Sequence, residues 1–335
     1  MAHLRRRTKM QLVLWLLAVL VPWTGATMRP IIGVMTQPFY GRDVDYIAAS
    51  YVKWIESAGG RVVPIPYAAS NDTIDALLNS VNGVLFPGGA APVNDQAARV
   101  YALALAANDR GTYFPIWGTC LGFEWLMQLT SSIGILNTNL NAMNLSSTLN
   151  YTSAAATSRI FSFQPSAFAA LSTRPLTMNN HRKGITTTRF ASTHALTSAF
   201  NVLATSVDRA GVEYVAVIES QTYPIYGVQF HPEKHAYEFG MRANGSPYES
   251  IDHSDDAIVA AQALARFFLH EARKNDQRFP DAAAEQRALI YNHPLTQRKA
   301  PAFAEIYEFP VKTTNTWRDS ALSLAAHALL RHPWR

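Results

Sequence analysis

The chain holds a single cysteine, Cys120, in the stretch Trp-Gly-Thr-Cys-Leu-Gly-Phe-Glu, residues 117–124, directly after an apolar run. A strand–turn–helix corner of this kind presents its side chain above the edge of a sheet. The helix that follows supplies backbone N–H donors and a dipole favourable to a thiolate. Gly118 and Gly122, two residues to either side, suit the unusual backbone angles and close approaches of such a turn. A thiol nucleophile also needs a base, and a carboxylate to orient that base. The stretch Gly-Val-Gln-Phe-His-Pro-Glu-Lys, residues 227–234, offers both, with His231 at the end of an apolar strand and Glu233 two residues on. In Phe-Pro-Gly-Gly-Ala, residues 86–90, Gly88 and Gly89 let backbone N–H groups turn toward a developing oxyanion. Nucleophile, base and oxyanion donors are the components of acyl transfer.

Each piece also has a plainer reading. A lone cysteine is commonly a small buried hydrophobe, a histidine before Pro-Glu-Lys can be a turn residue, and Pro-Gly-Gly is an ordinary turn. His231 and His235 are four apart, as in a helical zinc pair, but Pro232 and the preceding strand argue against one shared helix face, and no third ligand is evident.

The elements that must position these residues alternate in type. Ile31–Met35, Arg61–Pro66, Gly83–Phe86 and Phe114–Thr119 read as short buried strands. Between them, Tyr46–Ile55 carries an apolar helical face closed by Gly59–Gly60. Thr73–Asn82 reads as a helix, Asn94 or Asp95 caps a helix running to about Asn108, and Leu121–Leu129 follows the cysteine as another. Residues 131–210, rich in Ser, Thr and Asn, predict loops and short antiparallel strands. Gly211–Ser220 and Tyr223–Lys234 predict a hairpin, and Ser254 caps a long helix with an apolar stripe at Ile258, Ala261, Leu264, Phe268 and Ala272. The expected fold is α/β, with a central mostly parallel sheet covered by helices on both faces. The three chemical pieces all fall at C-terminal ends of strands, where open α/β sheets hold ligands.

Charge excludes one class of partner. Of the net +5, residues 1–26 carry +4 and residues 310–335 carry +3, which leaves the body of the chain at −2. No basic face for nucleic acid is implied. Residues 1–26 have the layout of a secretory signal: Arg5, Arg6, Arg7 and Lys9, the apolar run Leu12–Val21, then small residues ending near Ala26. The run is short for a membrane span, so no stable anchor is expected once the signal is cleaved. Sequons at Asn71, Asn144 and Asn150 fit this route, whereas Pro247 makes Asn244 a poor acceptor. A single thiol in an exported chain has no intramolecular disulfide partner.

The stretches Pro-Gly-Gly, Gly-Thr-Cys-Leu-Gly-Phe-Glu and Gly-Val-Gln-Phe-His-Pro-Glu-Lys together resemble the glutamine-amidotransferase superfamily and its Cys-His-Glu triad. More narrowly, residues 29–38, 46–65, 118–126, 223–239 and 267–275 resemble the γ-glutamyl hydrolase family, over a region from about Arg29 to Phe309. The resemblance implies a class I glutamine-amidotransferase-like fold with flavodoxin-like layering. It divides the chain into a signal (1–26), a catalytic domain (27–309) and a tail without an assigned role (310–335). It implies Cys120 as nucleophile, His231 as base and Glu233 as its partner, with backbone N–H groups of Gly89 and Leu121 as the oxyanion hole. Glu124, His181 and Gly88 would meet substrate. The implied substrate is a folate or antifolate poly-γ-glutamate, with no metal or organic cofactor, a homodimeric habit, and an extracellular, lysosomal or vacuolar destination. Lys53, Arg61, Arg182 and Lys183 are available to a polyanionic tail. Two rivals are a glutaminase subunit that releases ammonia, disfavoured by the signal and the lack of a fused synthase, and a non-catalytic folate-binding protein, disfavoured by the complete Cys-His-Glu set.

Overall fold

The computed structural model describes residues 27–297 and 303–310; residues 1–26 and 311–335, on which the signal and most of the tail fall, lie outside the described residues. The central sheet has eight strands: β1 (Ile31–Met35), β2 (Arg61–Ile65), β3 (Gly83–Phe86), β4 (Ile116–Thr119), β5 (Asn150–Tyr151), β6 (Phe200–Val207), β7 (Glu213–Ser220) and β8 (Ile225–Val228). Their order is β2-β1-β3-β4-β8-β7-β6-β5. The first five are mutually parallel and the last three join antiparallel, so the sheet is mixed but mostly parallel, as expected.

Short strands with continuous burial need cover on both faces, and the two faces of β1 enter two separate cores. Ile32 and Val34 pack with Val62, Leu85, Trp117 and Tyr226 under α1 (Ala49–Ser57) and α5 (Asp255–Ala272). Ile31 and Met35 pack with Val63, Val84, Phe86 and Ile116 under α2 (Asn71–Leu78), α3 (Asp95–Asp109) and α4 (Leu121–Thr130). Trp54 of α1 ties the first layer together, donating from Nε1 to the Ala261 carbonyl of α5 at 2.8 Å and lying 5.5 Å from the Trp117 ring.

Three expectations change. The helical face drawn from Tyr46 begins too early: Val44–Ala48 is a strand, paired with Gln37–Pro38 on one side and Glu305–Pro310 on the other. Val44, Tyr46 and Ile47 suit a strand, and a partner some 260 residues away decides the matter (Ile306 opposite Ala48). Residues 131–210 do contain a short antiparallel pair, Ala142–Ser147 with Thr177–His181. They also contain short helices such as Arg159–Phe163 and His194–Ala199, and the whole of the eight-residue β6. Ser254 sits at the start of α5 but makes no side-chain cap; of the expected stripe Ala261, Leu264, Phe268 and Ala272 are buried, while Ile258 is only half-buried and Ala257 and Ala260 complete the buried face.

At the junction of β3, β4 and α4 backbone approaches backbone closely. A Cβ on Gly122 would lie 1.9 Å from the Phe86 carbonyl oxygen, and one on Gly118 would lie 2.7 Å from the Gly122 backbone. Both neighbours are main chain and cannot step aside as a side chain can. We expect Gly122→Ala to lower stability by about 3 kcal/mol or more. Gly134→Ala, where a Cβ meets nothing within 4 Å, should stay within about 0.5 kcal/mol of the parent. Chemical denaturation of the two variants checks the contrast.

Candidate active site

Cys120 is the residue between β4 and α4, and its backbone stands at φ 52°, ψ −105°. The unusual angle therefore falls on the cysteine itself, not on the glycines flanking it, which instead supply the close approaches described above. A non-glycine residue held there is strained, and such strain persists only where surrounding contacts over-determine it. The contacts are present: the Cys120 N–H donates to the Val228 carbonyl at 2.9 Å and its carbonyl accepts from Glu124 N–H at 3.0 Å.

The parallel pairing of β4 with β8 sets Val228 opposite Thr119, so the residues that follow each strand emerge together. His231 arrives three residues after β8, its N–H held by the Met178 carbonyl at 2.8 Å. Nδ1 of His231 lies 2.7 Å from Glu233 Oε1, and both side chains are buried. The Cys120 side chain lies beside the same imidazole, the two meeting at the place where a Gly88 Cβ would stand, and with Nδ1 engaged by Glu233 the nitrogen left to face sulfur is Nε2. Burial by itself would lower the His231 pKa, but the charges and hydrogen bonds of Cys120 and Glu233 outweigh it and raise it to about 10. Glu233 is held below its ordinary value: burial pushes it up, while His231 and Lys234 pull it further down.

The Pro87–Ala90 loop after β3 closes the third side. A Cβ on Gly88 would sit 2.8 Å from His231 Cε1 and 3.5 Å from Cys120 Cβ, so only glycine fits. The Gly88 N–H donates to the Tyr51 hydroxyl at 2.7 Å, and that hydroxyl lies 3.4 Å from His231 Nδ1. Leu121 is the first residue of α4, and its N–H has no acceptor within the helix.

His181 and Glu124 are both brought to this edge. His181 ends the strand Thr177–His181 and its Nδ1 donates to the Lys183 carbonyl at 2.7 Å. Burial is the chief cause of its pKa falling to about 4. Glu124 is buried and raised to about 7 by that burial, against smaller opposing effects from Gln229, Lys183 and His231. Gln229 Nε2 points to Glu124 Oε1 at 3.4 Å. Of the four basic residues considered for an anionic tail, Lys53 is paired with Glu305 and Arg61 with Glu285, whereas Arg182 and Lys183 follow His181 directly and are exposed.

His235 is directed away from any pairing with His231, its Nδ1 donating to the Asp252 carbonyl at 2.7 Å. Lys234 is buried against Glu249 at 2.5 Å, and Glu249 also accepts from Asn180 at 2.6 Å, which ties the turn carrying His231 to the strand carrying His181. Sequence reasoning missed two participants. Gln229 was legible as a polar residue inside an apolar strand end. Tyr51 was read only as part of a helix face, since nothing local in the sequence says where its hydroxyl goes.

A strained cysteine at a strand–helix corner, beside a histidine that a carboxylate holds, on an α/β sheet, is the arrangement of a thiol-dependent hydrolase. The comparisons agree. The peptidase C26 family model matches residues 30–233. The chain is 38% identical to γ-glutamyl hydrolase B of Dictyostelium discoideum over 305 residues, covering 87% of this chain and 86% of that one. It is 38% identical to human γ-glutamyl hydrolase over 302 residues (86% and 92%), and 36% identical to γ-glutamyl hydrolase 1 of Arabidopsis thaliana over 288 residues (82% and 80%). The chain belongs to the γ-glutamyl hydrolases of the peptidase C26 family and is a cysteine-type hydrolase.

The raised pKa of Glu124 has a consequence for stability. A carboxyl whose folded value exceeds its unfolded 4.5 contributes stability that is complete below about 4.5 and is lost as pH rises through about 7. Glu124→Gln stays neutral throughout. It should match the parent near pH 5 and be more stable at pH 8.5, the gap opening by at most about 1.4 kcal/mol per pH unit; thermal unfolding across that range is the measurement.

Proposed function

We propose that the chain hydrolyses γ-glutamyl bonds in folate and antifolate poly-γ-glutamates through Cys120, His231 and Glu233. The observation that carries the reading is the 2.7 Å His231–Glu233 bond beside Cys120, with the Gly88–Gly89 loop packed against both. The names of the relatives supply the γ-glutamyl bond, and the family resemblance of the sequence supplies the folate polyglutamate that carries it.

The steps follow from the groups present. Cys120 as thiolate, paired with protonated His231, attacks the γ-carbonyl carbon of a glutamyl link. The carbonyl oxygen becomes an oxyanion and accepts from the N–H groups of Gly89 and Leu121; the Gly88 N–H is already committed to Tyr51. His231 gives its proton to the departing amine as the C–N bond breaks, leaving a thioester on Cys120. Water then attacks that thioester, His231 takes its proton, and the shortened folate leaves. Glu233 keeps the imidazole in one orientation and favours its charged form throughout. Arg182 and Lys183, exposed beside His181, are the cations placed to meet the carboxylates of the glutamate tail.

Residues 1–26 act as a cleaved secretory signal that delivers the chain to an extracellular, lysosomal or vacuolar compartment. Asn71 and Asn150, both exposed, are the acceptors open to a glycan. Asn144 is more engaged, its Oδ1 accepting from Ser250 N–H at 2.5 Å.

Two measurements test the chemistry. Timed chromatography of a defined pteroyl poly-γ-glutamate should show shortened folates with the parent protein. With Cys120→Ala, turnover should fall by at least about 10³-fold. Ammonia released from free glutamine without cleavage of the polymer would overturn the substrate reading. In Glu233→Gln the neutral carboxamide no longer favours imidazolium. The His231 titration, followed by NMR of ring-labelled histidine, should therefore move to lower pH, and kcat should fall by about 10²-fold or more.

A further inference from the structure

Gln37 lies two residues beyond β1, on the segment that crosses the Pro87–Ala90 loop. That segment is firmly held. Gln37 and Pro38 pair with Tyr46 and Asp45 as antiparallel strand. Thr36 Oγ1 donates to Asp45 Oδ2 at 2.7 Å and accepts from Tyr67 N–H at 2.7 Å, and the Tyr40 hydroxyl donates to the Ala90 carbonyl at 3.2 Å. The buried Thr36 and Asp45 side chains next to it are thus satisfied. Gln37 is the exception: it is 2% exposed, and neither Oε1 nor Nε2 has a hydrogen-bond partner among the described residues. Buried carboxamides left this way are costly and rare, and they concentrate where a ligand supplies the missing bonds.

Its position says which ligand. The carboxamide packs on Gly89, where a Cβ would lie 2.4 Å from Gln37 Oε1 and 2.7 Å from Cδ. The neighbouring Gly88 is the residue that faces His231 and Cys120. An unpartnered donor and an unpartnered acceptor therefore stand one residue from the reacting groups, on the side of the loop proposed to hold the oxyanion. A γ-linked glutamyl residue carries, three bonds from the carbonyl under attack, an α-carbon bearing both a carboxylate and an N–H. Those two groups complement a carboxamide, Nε2 donating to the carboxylate and Oε1 accepting from the N–H. An oxyanion would use the donor alone.

We propose that Gln37 is a specificity-determining residue that binds the α-carboxylate and α-nitrogen of the glutamyl unit whose γ-carbonyl Cys120 attacks. This rests on the reading of the site as a γ-glutamyl hydrolase. The residue acts in binding and leaves the chemical step to the Cys120 row.

The test compares the parent with Gln37→Met, which keeps the side-chain volume and removes both polar atoms. KM and kcat are measured on a defined pteroyl tri-γ-glutamate, together with the melting temperature of the free protein. The same substitution in the Cys120→Ala background gives Kd for the intact substrate by calorimetry. The expected result is a rise in KM and Kd of about tenfold or more, kcat within about threefold of the parent, and an unchanged or higher melting temperature, because an unsatisfied buried amide has been removed. A lower melting temperature with KM and Kd within about twofold of the parent would make the amide structural and overturn the proposal. A parent that releases no shortened folate would overturn the functional reading, and Gln37 with it; an active parent with unchanged KM in Gln37→Met overturns the role of Gln37 alone. If Gln37→Met does not fold, Gln37→Asn, which withdraws the carboxamide by one methylene, gives the same comparison on KM and Kd alone, with the same fold-changes expected and the same unchanged KM and Kd overturning the role of Gln37.

Discussion

The site depends on the alignment of three adjacent parallel strands, β3, β4 and β8, whose C-terminal ends reach one edge of the sheet. Val228 opposite Thr119 and Gly118 opposite Phe86 are the pairings that bring this about. A slip of one residue in either ladder would reverse which side chains face each core. It would also break the bond from Cys120 N–H to the Val228 carbonyl, which helps hold the cysteine at positive φ. The glycines serve the same alignment: Gly122 lets α4 start against the Phe86 carbonyl, and Gly88 lets its loop approach the imidazole.

Around that edge the protein has assembled an unusual density of buried ionisable groups. Glu124, His181, His231, Glu233, Lys234, His235, Glu238 and Glu249 are all buried. Removing charges from water is expensive unless each is paired or neutralised, and both solutions are used. Lys234 pairs with Glu249, and His231 with Glu233. Glu124 and His181 take the other course, their pKa values moved by burial toward the neutral form. Opposed shifts within one small volume let acid and base roles coexist near neutral pH.

Legibility in the sequence followed the range of the interactions concerned. β1 to β4, the β7–β8 hairpin, α3 and α4 announce themselves by local apolar runs and caps, as with the Asn94 side chain accepting from Ala97 N–H at 2.9 Å. The strand Val44–Ala48 did not, because its partner comes from residues 305–310. Neither did β6, whose Ser and Thr residues hide its alternation and whose place depends on β7.

The sequence alone determined the chemical identities: a lone thiol at a strand–helix corner, a His-x-Glu after a second strand, and a Pro-Gly-Gly loop after a third. Residue type and local spacing are covalent facts and survive without the fold. Only the tertiary structure decided how they combine. It placed the strain on Cys120 itself, committed the Gly88 N–H to Tyr51, sent Lys53 and Arg61 into ion pairs elsewhere and left the Gln37 carboxamide beside Gly89 without a partner among the described residues. Each of these depends on a contact between segments far apart in the chain. Hydrogen-bond satisfaction and burial are properties of the packed neighbourhood, which no single stretch of sequence contains.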